Sequence, residues 1–201
     1  MIFYKISISK FIFIILALIL LIIIYWAYRN FNFNLKYSTG EIVDSYNGVE
    51  VYFNGGINHI AGRNLSKEGY NFGLKYQCVE FIKRYYFEVF DHEMPNSYGN
   101  AIDFFDKKLV DGQINNERGL IQYKNPSNKK PELNDILVYK GNLFNRYGHI
   151  SIISKMEENE IEIIQQNPGP FSKSREKILL EYKNGLWEIK KSRIIGWLRI
   201  E

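Results

Sequence analysis

The stretch Gly73-Leu74-Lys75-Tyr76-Gln77-Cys78-Val79-Glu80-Phe81 holds the only cysteine of this 201-residue chain and divides two kinds of pattern. Before it, from Gly69 to Gly73, glycine and asparagine interrupt any periodicity. After it, Val79, Ile82, Tyr86 and Val89 recur at helical spacing, with Phe81 and Tyr85 widening the stripe and Lys83, Arg84 and Glu88 on the other side. The spacing predicts a helix over 76–90 with the thiol at its N-terminus. There the unpaired N–H groups and the positive end of the macrodipole favour thiolate, the nucleophilic form. An isolated cysteine is more often a small buried hydrophobe, so this one needs a partner before it implies chemistry.

Downstream, Tyr147-Gly148-His149-Ile150-Ser151-Ile152-Ile153 offers a histidine on a strand. Side chains on a strand alternate faces with a period of two. If His149–Lys155 and Glu160–Gln166 form a hairpin with a three-residue loop, His149 shares a face with Gln165 and Asn167. A two-residue turn at Glu157-Glu158 breaks that parity. The three-residue loop is expected because Asn159 tolerates positive φ. Gln165 or Asn167 then accepts the imidazole Nδ1–H, which fixes the tautomer and leaves Nε2 facing the sulfur. The backbone N–H of Cys78 is the natural first donor to an oxyanion, and the Gln77 side chain a second.

Around this pair the chain reads as α+β, one main helix followed by antiparallel strands. Asn47-Gly48 sits between Glu41–Tyr46 and Val49–Phe53, and Asn184-Gly185 between Leu180–Tyr182 and Leu186–Ile189. Both dipeptides are type I′ hairpin signals. Asp135 to Lys140 is a further strand, Arg193 to Ile200 a closing one, and Ala101 to Leu109 a second, weaker helix. The stretch from Asn54 to Asn71 reads as loop.

The N-terminal region differs in kind. Phe11 to Ala27 carries no charge, and a helix of that length rises about 25 Å, close to the roughly 30 Å of bilayer hydrocarbon. Tyr25, Trp26 and Tyr28 fall where interfacial aromatics belong. No small-residue cleavage step follows, so an uncleaved anchor is expected rather than a signal peptide. The expected organisation is a basic tail over 1–10, a membrane anchor over 11–28, a tether over 29–40 and one folded domain over 41–201. Lys5, Lys10 and the α-amino group place the N-terminus in the cytoplasm and the domain outside.

Net charge is +4, mildly basic, with no dense basic patch and no nucleic-acid motif. One cysteine and three scattered histidines give no metal-ligand spacing. His59 and His92 sit in loop contexts without evident partners. Glu80 reads as a first-turn residue that complements the helix dipole, and Gly148 as a turn residue that also lets a substrate backbone approach. No metal and no cofactor is expected.

The nucleophile stretch resembles that of the CHAP family, the cysteine- and histidine-dependent amidohydrolases and peptidases of the papain-like NlpC/P60 superfamily. Within it the chain is most like the amidase domain of glutathionylspermidine synthetase/amidase. Tyr46–Tyr52, Gly148–Ile153, Gln165-Gln166-Asn167 and Ile194-Ile195-Gly196-Trp197 resemble further family segments in the same order, over about residues 41–201. The resemblance implies a papain-like α+β fold and hydrolysis of an amide through a Cys thioester. Cys78 would be the nucleophile, His149 the base and acid, and position 165 the orienting residue. The family usually has glutamate there, and this chain has Gln165. A neutral amide still accepts a hydrogen bond but stabilises imidazolium less. A peptidoglycan peptide is the expected substrate if the domain lies outside, and a glutathione–polyamine amide if it lies inside. A catalytically degenerate binding module is the competing expectation.

Overall fold

A computed structural model describes residues 7–201. The expectations placed on residues 1–6, including the charge of Lys5, lie outside the described residues. Helix α1, Ile8–Asn30, begins at Ser7, whose hydroxyl accepts from the Lys10 N–H. None of its side chains is buried. It is long and apolar enough to cross a membrane. The segment after it is not free: Asn34 Nδ2 donates to the Pro170 carbonyl at 2.7 Å, and Tyr37 packs on Phe53 at 5.6 Å.

The first hairpin pairs β1, Ile42–Tyr46, with β2, Val49–Tyr52, through Asn47 (φ 49°) and Gly48 (φ 85°). The region read as loop contains a second small ladder, β3 at Arg63–Leu65 on β4 at Asn71–Leu74. Helix α2, Cys78–Phe90, follows and ends at Asp91 in the left-handed region. The weak helix expected over Ala101–Leu109 is only a 3-10 turn at Ala101–Phe104. Its apolar residues Ala101 and Phe104 are buried in the core that α2 covers.

One eight-stranded sheet forms the body. Its strands are β5 (Gln113–Asn115), β6 (Leu120–Lys124), β7 (Ile136–Tyr139), β8 (His149–Met156), β9 (Glu160–Ile164), β10 (Arg175–Lys183), β11 (Leu186–Ile189) and β12 (Ile194–Arg199). In space they run β11-β10-β9-β8-β7-β12-β6-β5, and every pairing is antiparallel. β12, expected as a closing strand, lies inside the sheet between β7 and β6.

The central strands of this sheet are buried on both faces. Ile136 and Val138 of β7, with Ile150 and Ile152 of β8, meet Phe81, Ile82, Tyr85 and Tyr86 of α2. The alternate residues Leu137, Tyr139 and Ile153 join Trp197, Ile161, Ile163, Ile178 and Leu180 on the other side. Full burial of such a side chain contributes about 1.5–3 kcal/mol, so the two clusters supply most of the drive to fold. The same packing seats the N-terminus of α2 against the start of β8.

The β8–β9 hairpin reaches the expected parity by another route. The three-residue loop with Asn159 left-handed is not present. Glu157 N–H donates to the Glu160 carbonyl at 2.8 Å, closing a two-residue turn at Glu158-Asn159, and positive φ does not fall on Asn159. That turn alone would move His149 to the other face from Gln165. A bulge at Ser154, between the pairs Ile153↔Ile163 and Lys155↔Glu162, restores the register.

Candidate active site

Cys78 is the first residue of α2, and Gln77 is the extended residue that caps it. The turn before it needs Tyr76 at φ 66°. The thiol is partly buried and packs against the apolar cluster under α2. Burial pushes it up to about 11, against the pull of the backbone N–H groups of Ile150, Val79 and Cys78 itself. The expectation of a thiolate favoured by the helix N-terminus is therefore corrected: desolvation outweighs the helix terminus. The Ile150 amide locates the sulfur at the beginning of β8, one residue from His149.

His149 is part-buried and lies opposite Tyr139 in the β7–β8 register, the two rings edge-to-face at 5.6 Å. Its Nε2 is 2.8 Å from Gln165 Oε1. The expectation assigned this bond to Nδ1, and the structure reverses the ring: Nε2 faces the amide and Nδ1 is the nitrogen left for a sulfur or a substrate. Gln165 Nε2 donates to the Lys173 carbonyl at 3.3 Å, which sets the amide with its oxygen toward the histidine. Burial lowers the imidazole to about 4; the Gln165 bond opposes this, and Arg193 and Lys191 reinforce it. Alternation along β8 sends Ile150 toward α2 and His149 to the face shared with Tyr139. Among the described residues, no hydrogen bond joins the sulfur to the ring.

Two further expectations change. Gln77 Nε2 donates to the carbonyls of His59 (2.9 Å) and Ile57 (3.3 Å), so both its protons are committed and it offers no second oxyanion donor in this conformation. Asn167, left-handed at φ 54°, donates to Gln77 Oε1 at 2.7 Å and to the Ile57 carbonyl at 3.0 Å. It holds Gln77 rather than His149. Gly148 (φ 74°) adjoins the Tyr139 carbonyl and Ile102, so its role is close packing behind His149 and not room for a substrate.

Sequence reasoning passed over Gln166 and underrated Glu80. Gln166 is fully buried; its Nε2 donates to Glu80 Oε2 (2.7 Å) and to the Gln77 carbonyl (2.9 Å), and its Oε1 accepts from the Tyr52 N–H (2.8 Å). Glu80, also buried, accepts from Arg84 Nε (2.7 Å) and Asn64 Nδ2 (2.8 Å). The pair ties the turn before Cys78 to the residue after Gln165. A glutamine at a strand end beside a buried acid was the available signal.

A cleft of about 600 Å³ opens over His149 and Gln165, with Tyr139, Asn167, Arg193 and, from the end of α1, Arg29 in its wall. Among the described residues, no cluster of His, Cys, Asp or Glu could hold a metal ion.

The site thus holds an imidazole fixed through one nitrogen by an amide oxygen, and a thiol at a helix start on the α2 side of the same strand. Residues 69–167 match the CHAP domain, a family of amidases and peptidases. The chain is 27% identical over 145 residues to trypanothione synthetase of Crithidia fasciculata, which covers 70% of this chain. It is 27% identical over 137 residues to the bifunctional glutathionylspermidine synthetase/amidase of Escherichia coli K12, covering 63%. It spans 22% of the length of each of these curated relatives. Among solved structures, that of Ly7917 matches with a TM-score of 0.39 and 13% identity, over 62% of this chain and 53% of that one.

Proposed function

We propose that this protein is a membrane-anchored cysteine amidohydrolase or peptidase with a papain-like catalytic domain over residues 41–201. The observation that carries the reading is the His149 Nε2–Gln165 Oε1 bond, made one residue from the amide that meets the Cys78 sulfur. With the Cys78 thiol pushed up to about 11 and the His149 imidazole down to about 4, the pair is neutral near pH 7. Substrate binding brings Nδ1 and the thiol together, as catalytic hydrogen bonds often tighten only in the complex. Nδ1 takes the thiol proton while sulfur attacks the carbonyl carbon. The Cys78 N–H, which has no intrahelical acceptor at the first helical position, stabilises the oxyanion. The imidazolium then protonates the amide nitrogen, the C–N bond breaks and a thioester remains. Water, deprotonated by Nδ1, attacks the thioester and frees the thiol.

The anchor supports a membrane-proximal substrate. Arg29, in the last turn of α1, donates to Asn58 Oδ1 (2.9 Å) and to the Phe144 carbonyl; Tyr28 stacks on Phe171 at 6.4 Å. With the N-terminus cytoplasmic, the cleft faces peptidoglycan peptides just outside the bilayer. A glutathionylspermidine-type amide is the alternative substrate and requires the opposite orientation. The full chain in detergent micelles, given wall peptides and glutathionylspermidine side by side with product masses as readout, chooses between them. Cys78→Ala must abolish whichever cleavage is found.

A binding-only role is the second reading, favoured by a neutral Gln165 and a thiol held well above neutrality. Turnover by the unmodified chain eliminates it.

A further inference from the structure

The cleft beside His149 is richer in positive charge than its neighbours neutralise. Arg175 is taken up by Asp44 (3.0 Å) and Glu162 (2.8 Å), and Lys191 by Glu176 (2.6 Å). Arg193 donates through Nε and Nη2 to the Lys140 carbonyl, at 3.2 and 2.9 Å, and has no carboxylate partner among the described residues. Lys173 is exposed and forms no ion pair there either. Arg29 is held by neutral oxygens. All of these border one cavity, with Glu176 the only acid in its wall. A concave site lined by one sign of charge concentrates ligands of the opposite sign.

We propose that this cleft is an anion subsite, receiving a carboxylate that the substrate carries close to its scissile amide, with Arg193 and Lys173 as its partners beside His149. The proposal rests on the hydrolase reading above for the word substrate, but the binding itself does not need the cysteine. Its consequence lies at position 165. Glutamine brings no charge to the imidazole, so a bound carboxylate supplies the negative charge that a glutamate there would otherwise provide. The groups that face the ring are Gln165, Tyr139, Arg193, Lys191 and Glu176. An anion between the two cations and the ring offsets their unfavourable effect on imidazolium.

Because the chain has only three histidines, carbon-13 labelling of the imidazoles resolves His149 from His59 and His92 in the full chain in micelles. Succinate is the probe, with uncharged succinamide as its matched control and inorganic phosphate in parallel. Succinate is expected to shift the His149 signal saturably and raise its titration midpoint, leaving His59 and His92 unmoved, while succinamide has no effect. Lys173→Gln and Arg193→Gln should each weaken succinate binding about fivefold or more; Lys173 is a surface residue whose loss leaves the fold intact. Lys155→Gln, on the far end of β8, should leave binding as it was. The proposal is overturned if succinate and succinamide act alike, if phosphate binds and succinate does not, or if both variants bind succinate normally. Repeating the titration in Cys78→Ala separates the two ideas: saturable binding there with no turnover by the native chain removes the hydrolase and leaves the anion subsite.

Discussion

The Nε2 of His149 donates to Oε1 of Gln165 across 2.8 Å, and that direction follows from the far end of the amide. Gln165 Nε2 is committed to the Lys173 carbonyl, so only its oxygen can face the ring, and a carbonyl oxygen accepts. Neutral His149 is therefore the Nε2–H tautomer, with a lone pair on Nδ1. One glutamine thus orients the ring and selects its basic nitrogen without contributing charge.

The free enzyme should show this in its pH profile. With the imidazole lowered to about 4 by burial, the acidic limb of kcat/KM is expected near pH 4 and not near the usual histidine value. Gln165→Glu adds a carboxylate that favours imidazolium, so the limb moves to higher pH. A limb that stays in place in Gln165→Glu would show that position 165 does not act on the histidine.

Cys78 can be titrated by alkylation with iodoacetamide. Burial holds the thiol up to about 11, so the wild-type rate should climb through the alkaline range instead of levelling near neutrality. In Gln165→Glu, a protonated His149 should give a second reactive thiolate population at lower pH. Monophasic alkaline titration in both proteins would mean that ring and sulfur never meet.

Gly148→Ala tests the packing behind His149. The residue sits at φ 74°, where an L side chain costs about 1–2 kcal/mol, and an added Cβ would lie 2.5 Å from the Tyr139 carbonyl. Strand β8 must shift to admit it. The expected result is a lower thermal midpoint together with a larger loss of kcat than of substrate binding.

Gln166→Leu should be costly although it touches neither Cys78 nor His149. It strands a Glu80 oxygen, the Gln77 carbonyl and the Tyr52 N–H in a dry site. A loss of roughly 2–4 kcal/mol is expected from groups left unpaired, measurable by urea denaturation.

Lys83 sets a pH dependence of stability. It is buried with its ammonium on the carbonyls of Ser97 and Asn71, and desolvation lowers it to about 7 from an ordinary 10.5. Between these values the unfolded chain holds the proton and the folded chain does not, so stability rises with pH from about 7 to 10.5. Its contribution is lost as pH falls through 7. Lys83→Met should flatten this slope in denaturation curves taken across that range.

Much of the sheet was legible because its strands carry their own boundaries. Asn47-Gly48 and Asn184-Gly185 fix two hairpins locally, and the stripe from Val79 to Val89 fixes α2. What sequence could not give depends on partners far along the chain. The bulge at Ser154 corrects a turn that by itself would misplace His149, and no local pattern announces it. The ladder of β3 on β4 has strands too short for alternation to register. Ring orientation at His149 is decided by Lys173, and the commitment of Gln77 by Ile57, His59 and Asn167. The effect of burial on Cys78 needs the completed core, which a helix-terminus argument leaves out.

The position of β12 governs the order in which the domain can be completed. Strands β5 and β6 reach the rest of the sheet only through it, yet it follows every other strand of that sheet in the chain. The early hairpin and α2 can form first, while the sheet stays split until Ile194–Arg199 slides in beside β7. Such long-range pairing makes for slow assembly, so half-built sheet edges on β7 and β6 stay open to unwanted partners until that one strand arrives.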